Sequence, residues 1–349
     1  MRKLAIFRGC SVPLSLDSYN VQEIGLAKAL VKQGWSVDIY SRFNFGNQSN
    51  LFTFKNESAI NLIPLKGISI KKCLGLYPNV FRLIAEGKYD VLQVHDDINF
   101  MSNLVARFAK SKKMKVVLWQ GMCLDFYGYK KYIQILYNIC LLRNLPKYID
   151  LALAKTSTAK HYLMCQGYSN VNFMPAGLDF ESFEGETNIG QSILDFAEIH
   201  KPILLYVGIL EPRRNLDFFF EVLCEMRKCY PKSGALIVGN GPEYNRLKRK
   251  IFSLSLEDDA LLIGKLPQKE LSGIYKLADL FLLPSYYEIF GMVILEALYF
   301  GIPVLASKQA GPIDILISPY LGKCLEPVSY THLRAHETSL HLVCRLLLE

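Results

Sequence analysis

Pro284-Ser285-Tyr286-Tyr287-Glu288-Ile289-Phe290-Gly291-Met292-Val293-Ile294-Leu295-Glu296-Ala297 is the stretch on which the reading of this chain turns. Just before it, the apolar run Leu280 to Leu283 predicts a buried parallel strand that ends at Pro284. The polar residues after Pro284 predict a loop, and Met292 to Phe300 predicts a helix stopped by Gly301 and Pro303. Glu288 then lies on the loop at the carboxyl end of a strand, and Glu296 lies one to two turns into the following helix. Ligands of open α/β sheets sit in that crevice, where a helix N-terminus offers free N–H groups to phosphate.

The same alternation extends outward. Ile203 to Val207, Gly234 to Val238, Ala260 to Ile263 and Pro303 to Ala306 predict further strands, with helices at Asn215 to Arg227, Glu243 to Phe252 and Gln268 to Leu277. The first half repeats the pattern, with strands at Leu4 to Phe7, Ser36 to Tyr40, Val91 to Val94, Lys115 to Trp119, Leu151 to Ala154 and Val171 to Met174. Helices are predicted there at Val21 to Gln33, Phe100 to Lys110 and Tyr132 to Leu142. Such alternation implies parallel sheets covered on both faces, an α/β fold. Phe180 to His200 is polar, acidic and weakly patterned. We therefore expect two Rossmann-like domains, 1–180 and 201–327, joined by a linker over 181–200 and facing a cleft.

Val328 to Glu349 (VSYTHLRAHETSLHLVCRLLLE) abandons the pattern and carries three of the six histidines. It back-translates in one frame into sequencing-library adapter: GTC TCT TAT ACA CAT CTC spells Val328 to Leu333, and CTC GTA TGC CGT CTT CTG CTT GAA spells Leu342 to Glu349. The stretch is read as a scar and set aside, so His332, His336, His341 and Cys344 are not taken as sites. A native continuation past Pro327 on the order of 50 residues is expected from usual domain size.

A hydrophobic content of 51% with 21% charged residues suits a soluble α/β protein. The apolar run before Arg8 is too short for a signal peptide, so a cytoplasmic location is expected, and no run approaches the roughly 20 apolar residues of a membrane span. The nine cysteines show no paired spacing, so neither a metal site nor a disulfide is expected. The net charge of +8 draws on Lys71-Lys72, Lys110 to Lys115 and Lys130-Lys131. No nucleic-acid motif accompanies these clusters, which leaves an anionic membrane surface or bare solvent as the alternatives. Tyr132 to Leu142, flanked by basic residues, fits either a helix on a membrane surface or a partly buried one.

A second segment points to phosphate chemistry. Tyr206-Val207-Gly208-Ile209-Leu210-Glu211-Pro212-Arg213-Arg214-Asn215 reads as a strand end, a turn and a helix start, with two arginines beside free helix N–H groups. Guanidinium groups bind phosphate oxygens bidentately, so this arrangement suits a diphosphate.

Taken with its surroundings, including Gly301-Ile302-Pro303-Val304, the opening stretch resembles the Glu-x7-Glu motif of glycosyltransferase family 4, which has the GT-B fold. The resemblance covers nearly all of 1–327, strongly in the second half. It implies transfer of a sugar from a nucleotide diphosphate-sugar to an acceptor hydroxyl with retained configuration, without a metal or other cofactor. The acceptor would be a glycan or lipid-linked glycan in cell-surface polysaccharide or glycolipid synthesis, on the inner face of the membrane.

In that resemblance Glu288 holds the donor sugar and Glu296 the ribose, while Phe290 and Gly291 face sugar and phosphate through their backbone. Gly208, Arg213 and Arg214 meet the diphosphate, Gly239 and Gly241 belong to a Gly-x-Gly-Pro turn, and Lys265 and Leu266 lie where the base packs. Arg213, Arg214 and Glu288 are the residues implied in catalysis. On the acceptor side the matching positions are Gly9, His95 and Gln120, the last standing where the family commonly has His. Ile209 also departs from the pattern, and the Gln309-Ala310-Gly311-Pro312 loop lacks the usual Gly pair. An epimerase or a non-enzymatic sugar-nucleotide-binding protein of this fold is the alternative. A chain shortened at its C-terminus is expected to transfer weakly or not at all.

Overall fold

A computed structural model describes residues 1–9, 13–15, 21–44, 59–71, 74–121, 144–185 and 187–326. The expected helix Tyr132 to Leu142, the Lys130-Lys131 pair and the tail from Val328 lie outside the described residues. The chain divides into two compact units, Met1–Gly177 and Leu178–Glu349.

In the first unit the strands are β1 (Arg2–Phe7), β2 (Leu14–Ser15), β3 (Trp35–Ser41), β4 (Phe43–Asn44), β5 (Ile60–Pro64), β6 (Ile68–Lys71), β7 (Leu74–Leu76), β8 (Val91–His95), β9 (Lys115–Gln120), β10 (Leu151–Ala154) and β11 (Val171–Phe173). Seven of them make one parallel sheet in the order β11-β10-β9-β8-β1-β3-β5, while β2–β4 and β6–β7 form separate two-stranded ribbons. Side chains alternate across β1. Ala5 and Phe7 pack with Leu92, Val94, Val116 and Leu118 against the helices Val80–Gly87 and Phe100–Ser111. Leu4 and Ile6 join Val37, Ile39 and Ile60 under Ala27 of the helix Gln22–Lys32. A strand buried on both faces reads as a continuous apolar run, which is why Leu4 to Phe7 is legible in sequence.

The second unit holds β12 (Ile203–Val207), β13 (Gly234–Val238), β14 (Ala260–Gly264), β15 (Leu280–Leu283), β16 (Val304–Ser307) and β17 (Gly322–Leu325). Their order, β14-β13-β12-β15-β16-β17, is that of a doubly wound dinucleotide-binding sheet. Chain direction across the sheet reverses between β12 and β15, and the corresponding reversal in the first unit falls between β1 and β8. These two places are where open sheets bind ligands.

The expected linker is instead part of the second unit. Phe180–Phe183 forms a short 3-10 turn, and Phe183 is buried with its ring 5.5 Å from that of Phe300. Gln191–Ile199 is a helix whose Ile193 and Ala197 enter the core. Only two buried positions one turn apart anchor it, too few for its acidic outer face to read as periodic. The strands β5 and β17 and the helices Val80–Gly87 and Ser157–Cys165 likewise go beyond the expected elements.

Two glycines of the Gly-x-Gly-Pro turn have a packing reason. A methyl group on Gly239 would fall 1.8 Å from the Gly208 carbonyl oxygen, and one on Gly241 would fall 2.3 Å from that of Leu210. The turn after β13 therefore lies directly on the loop after β12, and Leu210 N donates to Asn240 O at 3.0 Å across the contact. Gly239→Ala is expected to cost about 3 kcal/mol of stability through this clash. A denaturant titration checks it: the midpoint should fall with the slope unchanged, and an unmoved midpoint would mean the loops separate freely.

Candidate active site

At the reversal point of the second unit, two loops leave adjacent strands. The loop after β12 carries Arg213 and Arg214 in the 3-10 turn Pro212–Arg214. It closes at Asn215, whose φ of 53° is left-handed, a conformation Asn tolerates better than most residues. The loop after β15 ends at Gly291, whose φ of 86° starts the helix Met292–Tyr299.

Hydrogen bonds fasten one loop to the other. Tyr286 N donates to Arg213 O at 2.8 Å, and Arg213 Nη1 donates to Tyr287 O at 3.1 Å. Tyr286 Oη donates to Asn215 Oδ1 at 2.8 Å. Asn215 thus binds the facing loop and makes no side-chain cap on its own helix, Leu216–Cys229. Arg214 Nη1 donates both to Ser285 Oγ at 3.2 Å and to Glu288 Oε2.

Of the residues expected to act together, Arg213, Arg214 and Glu288 are brought together. The Arg214 and Glu288 side chains are each 12% exposed, so their pair is largely shielded from water yet reachable. Arg213 is more open and pairs with Glu211 at 2.6 Å. Phe290 is buried; its backbone N–H donates to Glu288 Oε1 at 3.4 Å. Gly311 fits against that same backbone, since a Cβ there would lie 2.1 Å from Phe290 O. The Gln309–Pro312 segment thus supports the site from behind.

Glu296 differs from Glu288. It is wholly buried on the helix Met292–Tyr299 and accepts a bond from Tyr275 Oη at 2.9 Å, so as it stands it presents no surface to a ligand. Lys265 is exposed and Leu266 half-buried just beyond β14. Two strand spacings separate β14 from β12, roughly 10 Å, which is within the span of one nucleotide.

Gly9, His95 and Gln120 follow or end the neighbouring strands β1, β8 and β9 of the first unit. Gly9 leaves no room for a side chain, since a Cβ would meet Asn99 Nδ2 and Phe7 Cε1 at 2.9 Å each. Gln93 Nε2 lies 3.0 Å from His95 Nε2, and His95 Nδ1 faces Glu23 Oε1 at 3.5 Å. The same Glu23 oxygen takes Arg8 Nε at 3.2 Å. Burial lowers the His95 pKa against the opposing pull of Glu23 and Asp96, which keeps the ring neutral near pH 7. Gln22, Glu23, Leu26, Gln93, His95 and Trp119 line a cavity of about 40 Å³. That is room for waters and far below the roughly 300 Å³ of small-molecule sites.

Gln120 is held by Asp97. Its Nε2 donates to Asp97 Oδ1 and its Oε1 accepts from Asp97 N, both at 3.0 Å. Gln120, expected near a reacting centre, ends β9 in a buried amide–carboxyl pair. Glu23, Ser285 and Tyr275 were missed as partners; each stands on an element that was read correctly, but side-chain direction within a loop or helix turn leaves no sequence signal. Among the described residues no group of three or more His, Cys, Asp or Glu side chains is arranged to hold a metal ion.

Burial and then the Asp96 charge push the Asp97 carboxyl up to about 7, against bonds from Gln120, Tyr162 and the Ile98 backbone that favour its ionised form. An unfolded Asp ionises near 3.8, so between these values the unfolded chain sheds a proton that the folded chain keeps. Stability attributable to Asp97 therefore falls as pH rises from about 4 to about 7. Asp97→Asn is expected to match the parent at pH 4 and to exceed it at pH 8 by on the order of 2–4 kcal/mol. Urea titrations across this range test it, and a difference independent of pH would contradict it.

Comparison with known proteins agrees with this geometry. Residues 196–339 match the family model described as "Glycosyl transferases group 1", a span that runs twelve residues past Pro327. The chain is 30% identical over 204 residues to a GDP-mannose-dependent alpha-mannosyltransferase of Mycobacterium tuberculosis, covering 58% of this chain and 50% of that protein. It thus spans about half the length of that relative. Its fold matches the sucrose-phosphate synthase of Thermosynechococcus elongatus with a TM-score of 0.72 at 18% identity, over 100% of this chain and 90% of that one. It also matches Anabaena HepE, solved in complex with UDP, with a TM-score of 0.68 at 16% identity over 99% and 89% of the two chains. The second unit is thus similar to the group 1 glycosyltransferases, and the chain has the GT-B fold, a seven-stranded and a six-stranded parallel sheet in two Rossmann-like units.

Proposed function

We propose that the protein binds a nucleotide diphosphate-sugar at the β12–β15 reversal point and transfers the sugar to an acceptor hydroxyl with retained configuration. The observation that carries this reading is the clasp of Arg213 and Arg214 against the Glu288 loop beside the N-terminus of Met292–Tyr299. As the sugar–oxygen bond to the diphosphate breaks, negative charge grows on the leaving oxygen. Permanently charged guanidinium groups and unpaired helix N–H groups are fixed in place to receive it. Glu288, acceptor-only when ionised, fits the donor hydroxyls and sets the sugar's orientation.

The HepE complex with UDP and the name of the mannosyltransferase support a nucleotide-sugar donor, and they differ in base, so the base is left open. A glycan or lipid-linked acceptor in polysaccharide or glycolipid synthesis follows from the family resemblance. Contact with an anionic membrane surface on its cytoplasmic side rests on the basic clusters, of which Lys110 to Lys115 lies on and after the helix Phe100–Ser111. No helix among the described residues is long and apolar enough to cross a membrane.

Transfer is measured with a panel of uridine, guanosine, thymidine and adenosine diphosphate-sugars. Arg214→Ala is expected to lower kcat/KM about 100-fold. Arg213→Ala, whose guanidinium is more exposed, is expected to lower it only about fivefold. Full activity in Arg214→Ala would overturn the reading.

A further inference from the structure

The two arginines at the reversal point are already spoken for. Arg213 is held by Glu211 and Arg214 by Glu288, so these four side chains sum to no net charge. A site that must take a diphosphate is therefore neutralised by the protein's own carboxylates before any ligand arrives. The two pairs are not equivalent. Arg213 and Glu211 are 39% and 32% exposed, and an ion pair so open to water exchanges partners at little cost. Arg214 and Glu288 are 12% exposed each, and Arg214 is further fixed by the fully buried Ser285 hydroxyl. In that drier setting the charge of Glu288 acts more strongly on any anion brought to Arg214.

We propose that Glu288 is a competing internal anion for Arg214, which makes the site discriminate a sugar-bearing nucleotide from the bare nucleoside diphosphate. This rests on the donor-site reading given above. When the ligand carries a sugar, its hydroxyl groups donate to Glu288 and draw the carboxylate off Arg214, whose guanidinium then turns to the phosphates. When the ligand is the bare diphosphate, nothing engages Glu288. It stays paired with Arg214, and the phosphates meet a cation whose charge that carboxylate already balances. After transfer the same competition acts on the product, so Glu288 speeds its release. The neighbours of the pair allow such a switch: Phe290 N–H already donates to the second Glu288 oxygen at 3.4 Å, and Gly291 next to it carries no side chain to obstruct a turn of the carboxylate.

The test is equilibrium binding of UDP, UDP-glucose, GDP and GDP-mannose to the parent protein, Glu288→Gln, Glu288→Ala and Arg214→Ala, with thermal unfolding to confirm that each variant folds. Glu288→Gln and Glu288→Ala are expected to bind the bare diphosphate of the accepted base about tenfold tighter than the parent. Their affinity for the matching sugar nucleotide should fall or stay level, so the preference for the sugar-bearing form shrinks at least tenfold. Arg214→Ala should weaken both. If the parent binds both ligands and Arg214→Ala weakens them, yet neither Glu288 variant tightens the diphosphate, this inference fails and the donor site stands. If no nucleotide binds the parent, or Arg214→Ala changes nothing, both fail. If both Glu288 variants unfold, the pair is a structural clasp and the inference fails with it.

Discussion

Everything at the second unit's reversal point depends on the loop after β15 being held against the loop after β12. The connections of β12 and β15 leave in opposite directions across the sheet there, so no strand-to-strand connection ties the two loops to each other. The Tyr286 backbone and hydroxyl, the Ser285 hydroxyl and the Glu288 carboxylate all reach the same three residues, Arg213 to Asn215. Because Arg214 is largely shielded, removing its partners would leave a cation poorly solvated, and this makes the clasp cooperative rather than a set of separable bonds.

Close backbone approach supplies the second constraint. Gly239 and Gly241 let the turn after β13 lie on the first loop, and Gly311 lets the chain after β16 lie on Phe290. Each loop is thus backed by a neighbouring segment through contacts that tolerate no β-carbon. The first unit repeats the reversal between β1 and β8 but fills it differently. There Arg8 and His95 both meet Glu23, Asp97 pairs with Gln120, and the cavity beside Glu23 and His95 is water-sized.

The buried strands were legible because strands covered on both faces are near-continuous apolar runs, as in Leu280 to Leu283 and Ile203 to Val207. The Glu288 loop was legible because a polar stretch between such a strand and an apolar helix has few other readings. What escaped was whatever depends on partners far apart in sequence. Ile60–Pro64 alternates as a half-covered strand at the sheet edge, and Gln191–Ile199 shows the core only two residues per turn pair. The enclosure of Glu296 under Tyr275 and the capture of Gln120 by Asp97 are set by tertiary packing, and the residue types alone give no sign of either.

The most direct test of the account is a crystal structure of the protein with the nucleotide sugar it binds. Diphosphate oxygens are expected within hydrogen-bond distance of Arg214 and of the first N–H groups of Met292–Tyr299, with the sugar against Glu288. A nucleotide seated at the carboxyl edge of the first unit's sheet, with the Arg214–Glu288 pair intact, would contradict it.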